Sequence, residues 1–259
     1  MYGIHSGSTL AGTASLVTGG ASGIGRSVAL LLADAGAQVT IGDLNEAGMA
    51  ETVGLAAANG APHPIAALRC DVSSEADIAA LVDKACEATG RLDGAANVAG
   101  YPPHQKFLHE SVWSEWEKCV AVNLGGPFFC MKHEIARMLE GGGGAIVNIS
   151  SNTAIKGHTH MADYAGAKAG VVGLGNVAVQ EYGLKGIRVN TVLPGPVQTP
   201  MLLALMENAP EVEGELSGGL PGRLAHPDEI GYAVRWLLSP EASFVNGACL
   251  TIDYGMTTG

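Results

Sequence analysis

The chain has 259 residues, 47% of them hydrophobic, enough for the core of one large α/β domain. A net charge of −11 repels phosphate backbones and anionic lipid, which argues against nucleic acid or a membrane surface as partner. Five scattered cysteines without a Cys-x-x-Cys pair, no basic-then-apolar leader and no run approaching the about 20 apolar residues of a membrane span predict a cytoplasmic protein with reduced thiols.

In chain order, "ASLVTGG" (14–20) predicts a first strand ending in glycines, and "GIGRSVALLLADAGA" a helix closed at Gly36. A second strand, "QVTIGD" (38–43), precedes a helix ended by Asn59 and Gly60. "HPIAALRCDV" (63–72) is the third strand, and Ser73 or Ser74 caps the helix "EADIAALVDKACEATG". "LDGAANVAG" (92–100) is the fourth strand, followed by a long helical stretch over 111–140. The fifth strand (141–151), a helix (164–183), the sixth strand (187–195), a helix (227–239) and a seventh strand (247–253) complete the pattern. Strands such as "AIVNI" are apolar without clean alternation, as strands covered on both faces are. The alternation predicts a doubly wound, seven-stranded parallel sheet with helices on both faces, in one domain spanning 1–259. The insert 196–226 mixes an apolar helix-like piece with acidic residues and Gly/Pro hinges; it reads as a substrate lid, or as an ordinary surface excursion.

"TGGASGIG" (18–25) places Gly19, Ser22, Gly23, Ile24 and Gly25 at the first strand–helix junction. Glycines there let backbone N–H groups approach a pyrophosphate, and the helix N-terminus adds partial positive charge. Asp43 ends the second strand 18 residues past Gly25 and is followed by Leu44. A carboxylate at that place accepts hydrogen bonds from ribose hydroxyls and repels a 2′-phosphate; otherwise it is a strand-end turn residue. Arg26, the one nearby cation, is expected to point to solvent, so NAD is favoured over NADP. Asp71 and Val72 close the third strand, where an adenine edge could rest; Asn97, Ala99 and Gly100 close the fourth beside the nucleotide.

Taken together, "TGGASGIG", "CDV", "NVAG", "VNLGGPFF", "IVNISS", "YAGAK", "IRVNTVLPGPVQTP" and "VNGACLTIDYG", in this order, resemble the short-chain dehydrogenase/reductase family over about residues 10–255. The relatives it looks most like are bacterial dehydrogenases of cyclic alcohols and diols. The resemblance implies a Rossmann fold, a nicotinamide cofactor, a homotetramer and a catalytic set that falls here on Asn123, Ser151, Tyr164 and Lys168. It also implies that Pro194, Gly195, Val197 and Thr199 hold the nicotinamide end, that Lys168 reaches the nicotinamide ribose and that Asn123 positions a water relay. The sequence departs from the family pattern at Val98, where a second asparagine is usual; a packing adjustment is expected there.

Tyr164 and Lys168 are four residues apart on a predicted helix and so share a face. A free phenol, with a pKa near ~10, is a poor base at neutral pH. A neighbouring ammonium and the positive ring of an oxidised nicotinamide are expected to lower that value. Tyr164 then takes the proton of a substrate hydroxyl as hydride leaves the carbinol carbon, while Ser151 holds the substrate oxygen. Ser150 should point the other way along its strand. Thr153, His158, Met201 and Leu205 are the expected pocket wall, with Ser151 and Tyr164. His158 and His160 lack a third ligand, so no metal is expected; His104, His109 and His133 are placed on loops or helix surfaces. Small residues in "WEKCVAVNLGG" and the helix after Tyr164 suit a subunit interface or internal packing alone. The leading function is NAD-dependent oxidation of a secondary alcohol. The alternatives are an NAD(P)H-dependent ketone reductase and a non-catalytic nucleotide-sensing module.

Overall fold

The computed structural model describes residues 10–208 and 222–258. Its sheet has the order β3-β2-β1-β4-β5-β6-β7, with every neighbouring pair parallel. At the centre, β1 (Ala14–Thr18) and β4 (Gly94–Asn97) are buried at every position, which is why their sequences show no polar face. Around them lie β2 (Gln38–Asp43), β5 (Gly144–Ile149) and β6 (Ile187–Pro194), with β3 (Ala66–Arg69) and β7 (Cys249–Ile252) at the edges.

One face is covered by α1 (Gly23–Asp34), α2 (Glu46–Ala58) and α8 (Pro227–Leu238), which bury Val28, Leu32, Met49, Ile230, Val234 and Leu237. The other is covered by α3 (Glu75–Cys86), α5 (Gly126–Gly141) and α6 (Ala162–Tyr182), with Ile78, Leu81, Met131, Met138 and Ala178 inside. Each fully buried aliphatic side chain contributes about 1.5–3 kcal/mol of transfer free energy. Ser74, of the two candidate serines, caps α3: its hydroxyl accepts from the Asp77 N–H.

Several boundaries differ from the sequence expectation, and three of the differences have a local reason. The third strand is 66–69 rather than 63–72, because Pro64 cannot donate to a ladder and the Asp71 N–H is diverted to the Asp77 carboxylate at 3.0 Å. The fourth ends at Asn97 because the Thr18 hydroxyl accepts the next two amides, Val98 at 3.1 Å and Ala99 at 3.2 Å. The helical stretch 111–140 is α4 (Trp113–Val120), one π turn (Ala121–Gly125) and α5 in continuous succession. The π turn falls where Pro127, at the start of α5, has no N–H to offer the regular ladder, and it carries Asn123.

Two glycines make the first turn possible. Gly19 has φ +74° and passes so close to β4 that a Cβ would lie 2.9 Å from the Ala99 nitrogen. A Cβ on Gly25 would lie 2.0 Å from the Gly19 carbonyl oxygen. The insert contributes α7 (Pro200–Asn208), and its ends meet in a bridge between Val197 and Ala225. Residues 209–221 of the predicted lid lie outside the described residues. No described helix is long and apolar enough to cross a membrane.

Candidate active site

Parallel strands leave their carboxyl ends along one edge, and the loops after them open a crevice there. The cleft has a volume of about 440 Å³. Gly19, Ser22, Gly23, Ile24 and Gly25 form its floor at one end, with Asp43, Leu44, Asp71 and Val72 beside them. Ala99 and Gly100 lie in the middle, and Pro194, Gly195, Val197 and Thr199 lead to the other end, where Ser151, Tyr164 and Lys168 converge. Thr153, His158, Met201 and Leu205 line the same end. Thr199 serves two purposes: its methyl would lie 3.0 Å from a Cβ on Gly23, and its hydroxyl accepts the Leu202 N–H at the start of α7.

The turn from Gly19 to Gly25 is too tight for a Cβ at Gly19, Gly20 or Gly25, and α1 starts within it at Gly23, an arrangement that fits a pyrophosphate. Asp43 uses one oxygen on the Ala21 N–H (3.1 Å) and the other on the Asn45 N–H (2.9 Å). It is therefore a turn residue and a cleft residue at once. Arg26 does not point to solvent. Its guanidinium pairs with Glu51 at 2.6 Å and donates to the Thr52 hydroxyl and the Ala21 carbonyl, a network that holds it against α2.

Asn97 does not line the cleft either. Its amide is 2% exposed and donates to Asn148 (2.9 Å) and Glu134 (3.1 Å) in a buried polar cluster beneath the sheet edge. The side chain that faces the cleft at this point is Val98. Alternation along the strand end turns residues 97 and 98 to opposite sides, a signal available in the sequence. Tyr101, Pro103 and Met161 also line the cleft and were not singled out from sequence; they come from loops whose path no periodicity reports.

The reacting groups are held by different elements. Ser151 leaves β5 with extended backbone; its hydroxyl accepts the Thr153 N–H at 3.2 Å, and it lines the same end of the cleft as Tyr164. Ser150 turns away, donating to the Lys168 carbonyl at 2.8 Å. Lys168 is 2% exposed; its Nζ donates to the Ile149 carbonyl at 3.0 Å and lies 5.5 Å from the Tyr164 ring centroid. Asn123 is wholly buried behind the cleft, its amide clasping the Tyr101 backbone: Oδ1 accepts Tyr101 N–H (3.0 Å) and Nδ2 donates to Tyr101 C=O (2.9 Å). A Cβ on Gly100 would lie 3.1 Å from that Oδ1 and 3.7 Å from the lysine Nζ, so the space between these two groups is kept open by a glycine.

Burial sets the electrostatics of the tyrosine and the lysine. Burial pushes the Tyr164 phenol up to about 12, with only the Ser151 hydrogen bond opposing it, and burial pushes the Lys168 ammonium down to about 8. The ammonium lies 5.5 Å from the ring centroid, and burial dominates the shift of the phenol. The added positive charge of an oxidised nicotinamide is what this site needs before the phenol can act as a base. His158 stands in the cleft wall while the His160 ring packs edge-on against Phe107 at 4.3 Å. His109 is exposed, His133 reaches Glu75 from the surface of α5, and His104 lies on a loop with its ring Nδ1 2.6 Å from the buried Asp163 carboxylate.

A glycine-cradled cleft on a doubly wound parallel sheet, ending in a serine, a tyrosine and a buried lysine, defines a nucleotide-dependent oxidoreductase. A family profile described as enoyl-(acyl carrier protein) reductase matches residues 19–257. The chain is 44% identical over 253 residues to a 2,5-dichloro-2,5-cyclohexadiene-1,4-diol dehydrogenase of Sphingobium indicum, covering 96% of this chain and 99% of that one. It is 40% identical to a cis-4-hydroxycyclohexanecarboxylate dehydrogenase of Sinomonas cyclohexanicum, with 97% and 99% covered. Among solved structures, a levodione reductase superposes with a TM-score of 0.92 at 33% identity, covering 96% of this chain and 99% of that one. The chain belongs to the short-chain dehydrogenase/reductase family.

Proposed function

We propose that the protein is an NAD-dependent dehydrogenase of secondary alcohols on six-membered rings, ring diols among them, acting as a cytoplasmic homotetramer. The observation that carries the reading is that Ser151, Tyr164 and buried Lys168 converge in the same cleft as the glycine turn. The cleft wall of Tyr101, Pro103, Met161, Met201, Leu202 and Leu205 is apolar and suits a ring, and the names of the relatives agree with one. The insert 196–226, through α7, acts as a lid over that ring.

NAD, when bound, supplies the hydride acceptor and a positive ring charge. Ser151 donates a hydrogen bond to the substrate oxygen and fixes its direction. Tyr164 accepts the hydroxyl proton as the hydride leaves the carbinol carbon, so that the alcohol becomes a ketone. Lys168 donates to the carbonyl of Ile149 and holds the floor on which the tyrosine ring rests. Asn123 fixes Tyr101, and with it one side of the ring pocket.

Ketone reduction is favoured by one specific observation. A phenol pushed up to about 12 is protonated at neutral pH, the form that donates to a carbonyl oxygen. The direction at a given pH then follows the cofactor form supplied. Asp43 lines the cleft where it would meet an adenosine ribose, and Arg26 is committed to Glu51 and Thr52, which together support NAD over NADP. The test is a screen of cyclohexanol, cyclohexanediols and the matching ketones, read by absorbance of the reduced nicotinamide. Turnover with NAD(H) at least about tenfold better in kcat/KM than with NADP(H) is expected. Equal use of NADP would overturn the cofactor assignment, and bound cofactor without any turnover would favour a nucleotide-sensing module.

A further inference from the structure

We propose that Asp163 is a positioning residue that couples the loop walling the substrate pocket to the helix that carries Tyr164, with His104 as its partner in that loop. The proposal deepens the reading of the site as a ring-alcohol dehydrogenase and rests on it for its kinetic consequences. Neither residue lines the cleft; both face the opposite side, toward Lys106, Glu115 and Trp116.

Asp163 is 6% exposed, and both of its carboxylate oxygens are engaged. One oxygen accepts the Tyr164 N–H at 2.7 Å, one of the amides a helix leaves unpaired in its first turn. The other lies 2.6 Å from His104 Nδ1 and accepts the His104 N–H at 3.3 Å. The Cys119 thiol of α4 faces the same carboxylate; burial, with that charge beside it, pushes the thiol up to about 12, so it keeps its proton. The negative charge at the α6 N-terminus also suits the helix dipole. A carboxylate there selects the imidazole tautomer with its proton on Nδ1, so the tie holds whether or not the ring is charged.

The consequence lies in the loop. Asn123 grips it at Tyr101 and Asp163 grips it at His104, bracketing Pro102 and Pro103. A backbone bridge from Lys106 to Met161 adds a third point. Tyr101, Pro103 and Met161 are the cleft wall that this frame holds still, and Tyr164 is fixed from the same carboxylate. Wall and acid–base group therefore share one anchor, which sets the distance between the ring of a substrate and the proton acceptor. A site held to within a fraction of an ångström needs such support behind it.

The test uses the whole protein and two readouts. Without substrate, His104→Ala should raise amide hydrogen exchange over residues 101–107 about tenfold or more. His104→Asn, whose amide nitrogen takes about the place of Nδ1, should restore slow exchange. With cyclohexanol and NAD, His104→Ala should raise KM severalfold and leave kcat within about twofold, with NADH affinity unchanged, whereas Asp163→Asn should also lower kcat by about tenfold. Exchange in His104→Ala as slow as in the parent, or His104→Asn as fast as alanine, would overturn the coupling. A parent enzyme inactive on every ring alcohol would instead sink the functional reading, and the exchange measurement would still decide the coupling.

Discussion

Glu134 is the residue whose chemistry is least expected from its surroundings. It sits on α5, wholly buried, and burial pushes its carboxyl up to about 8. Its Oε1 and the Oδ1 of Asn97 have no hydrogen-bond partner among the described residues, so the cluster has spare acceptors and too few donors. A neutral carboxyl adds one donor, which relieves that shortage. The sign of the pH effect follows. Between about 4.5 and about 8 the folded chain keeps a proton that the unfolded chain has lost, so folding stability falls as pH rises through that window. Glu134→Gln supplies an uncharged donor and should flatten the fall in melting temperature from pH 5 to pH 8; a variant that tracks the parent across that range would show that the carboxyl does not titrate. The Asn97 side chain belongs to this cluster. Its place in the familiar "NVAG" run made it look like a cofactor residue, whereas only the partner on a helix 37 residues further on shows where its amide goes.

At the scale of elements, the turn from β1 to α1 is the proposed nucleotide end of the cleft. Gly25 lies so close to Gly19 that an added Cβ, 2.0 Å from a carbonyl oxygen, must displace the turn. Gly25→Ala should therefore weaken NADH binding, read by fluorescence, by about tenfold or more while the circular dichroism of the fold is kept; unchanged affinity would place the pyrophosphate elsewhere. The run "TGGASGIG" was legible because its glycines have a local geometric cause. So were the central strands, whose unbroken apolar runs report burial on both faces. The π turn was not legible: it arises from one proline acting on a ladder four residues behind it, inside a pattern that otherwise reads as helix. The small residues of α6 serve packing within the subunit on at least one face, since a Cβ on Gly170 would meet the Leu124 side chain at 2.8 Å.

At the scale of the molecule, seven parallel strands bring residues from 19 to 205 to one edge, and this is what turns scattered motifs into a site. The order of the motifs along the chain indicated the sheet, and the sheet then placed Ser151, Tyr164 and Lys168 opposite the glycine turn. The electrostatic state of that trio was not legible, because the depth of burial decides it and spacing does not report depth. Burial raises the phenol and lowers the ammonium. Oxidation by this enzyme should accordingly quicken as pH rises and the phenol releases its proton, and reduction should slow over the same range.

The central claim, that Tyr164 exchanges the proton during hydride transfer at this cleft, is tested most directly by Tyr164→Phe. The account predicts that the variant binds NADH with the affinity of the parent and loses turnover of cyclohexanol or a cyclohexanediol by about a thousandfold. Turnover within about tenfold of the parent would contradict it.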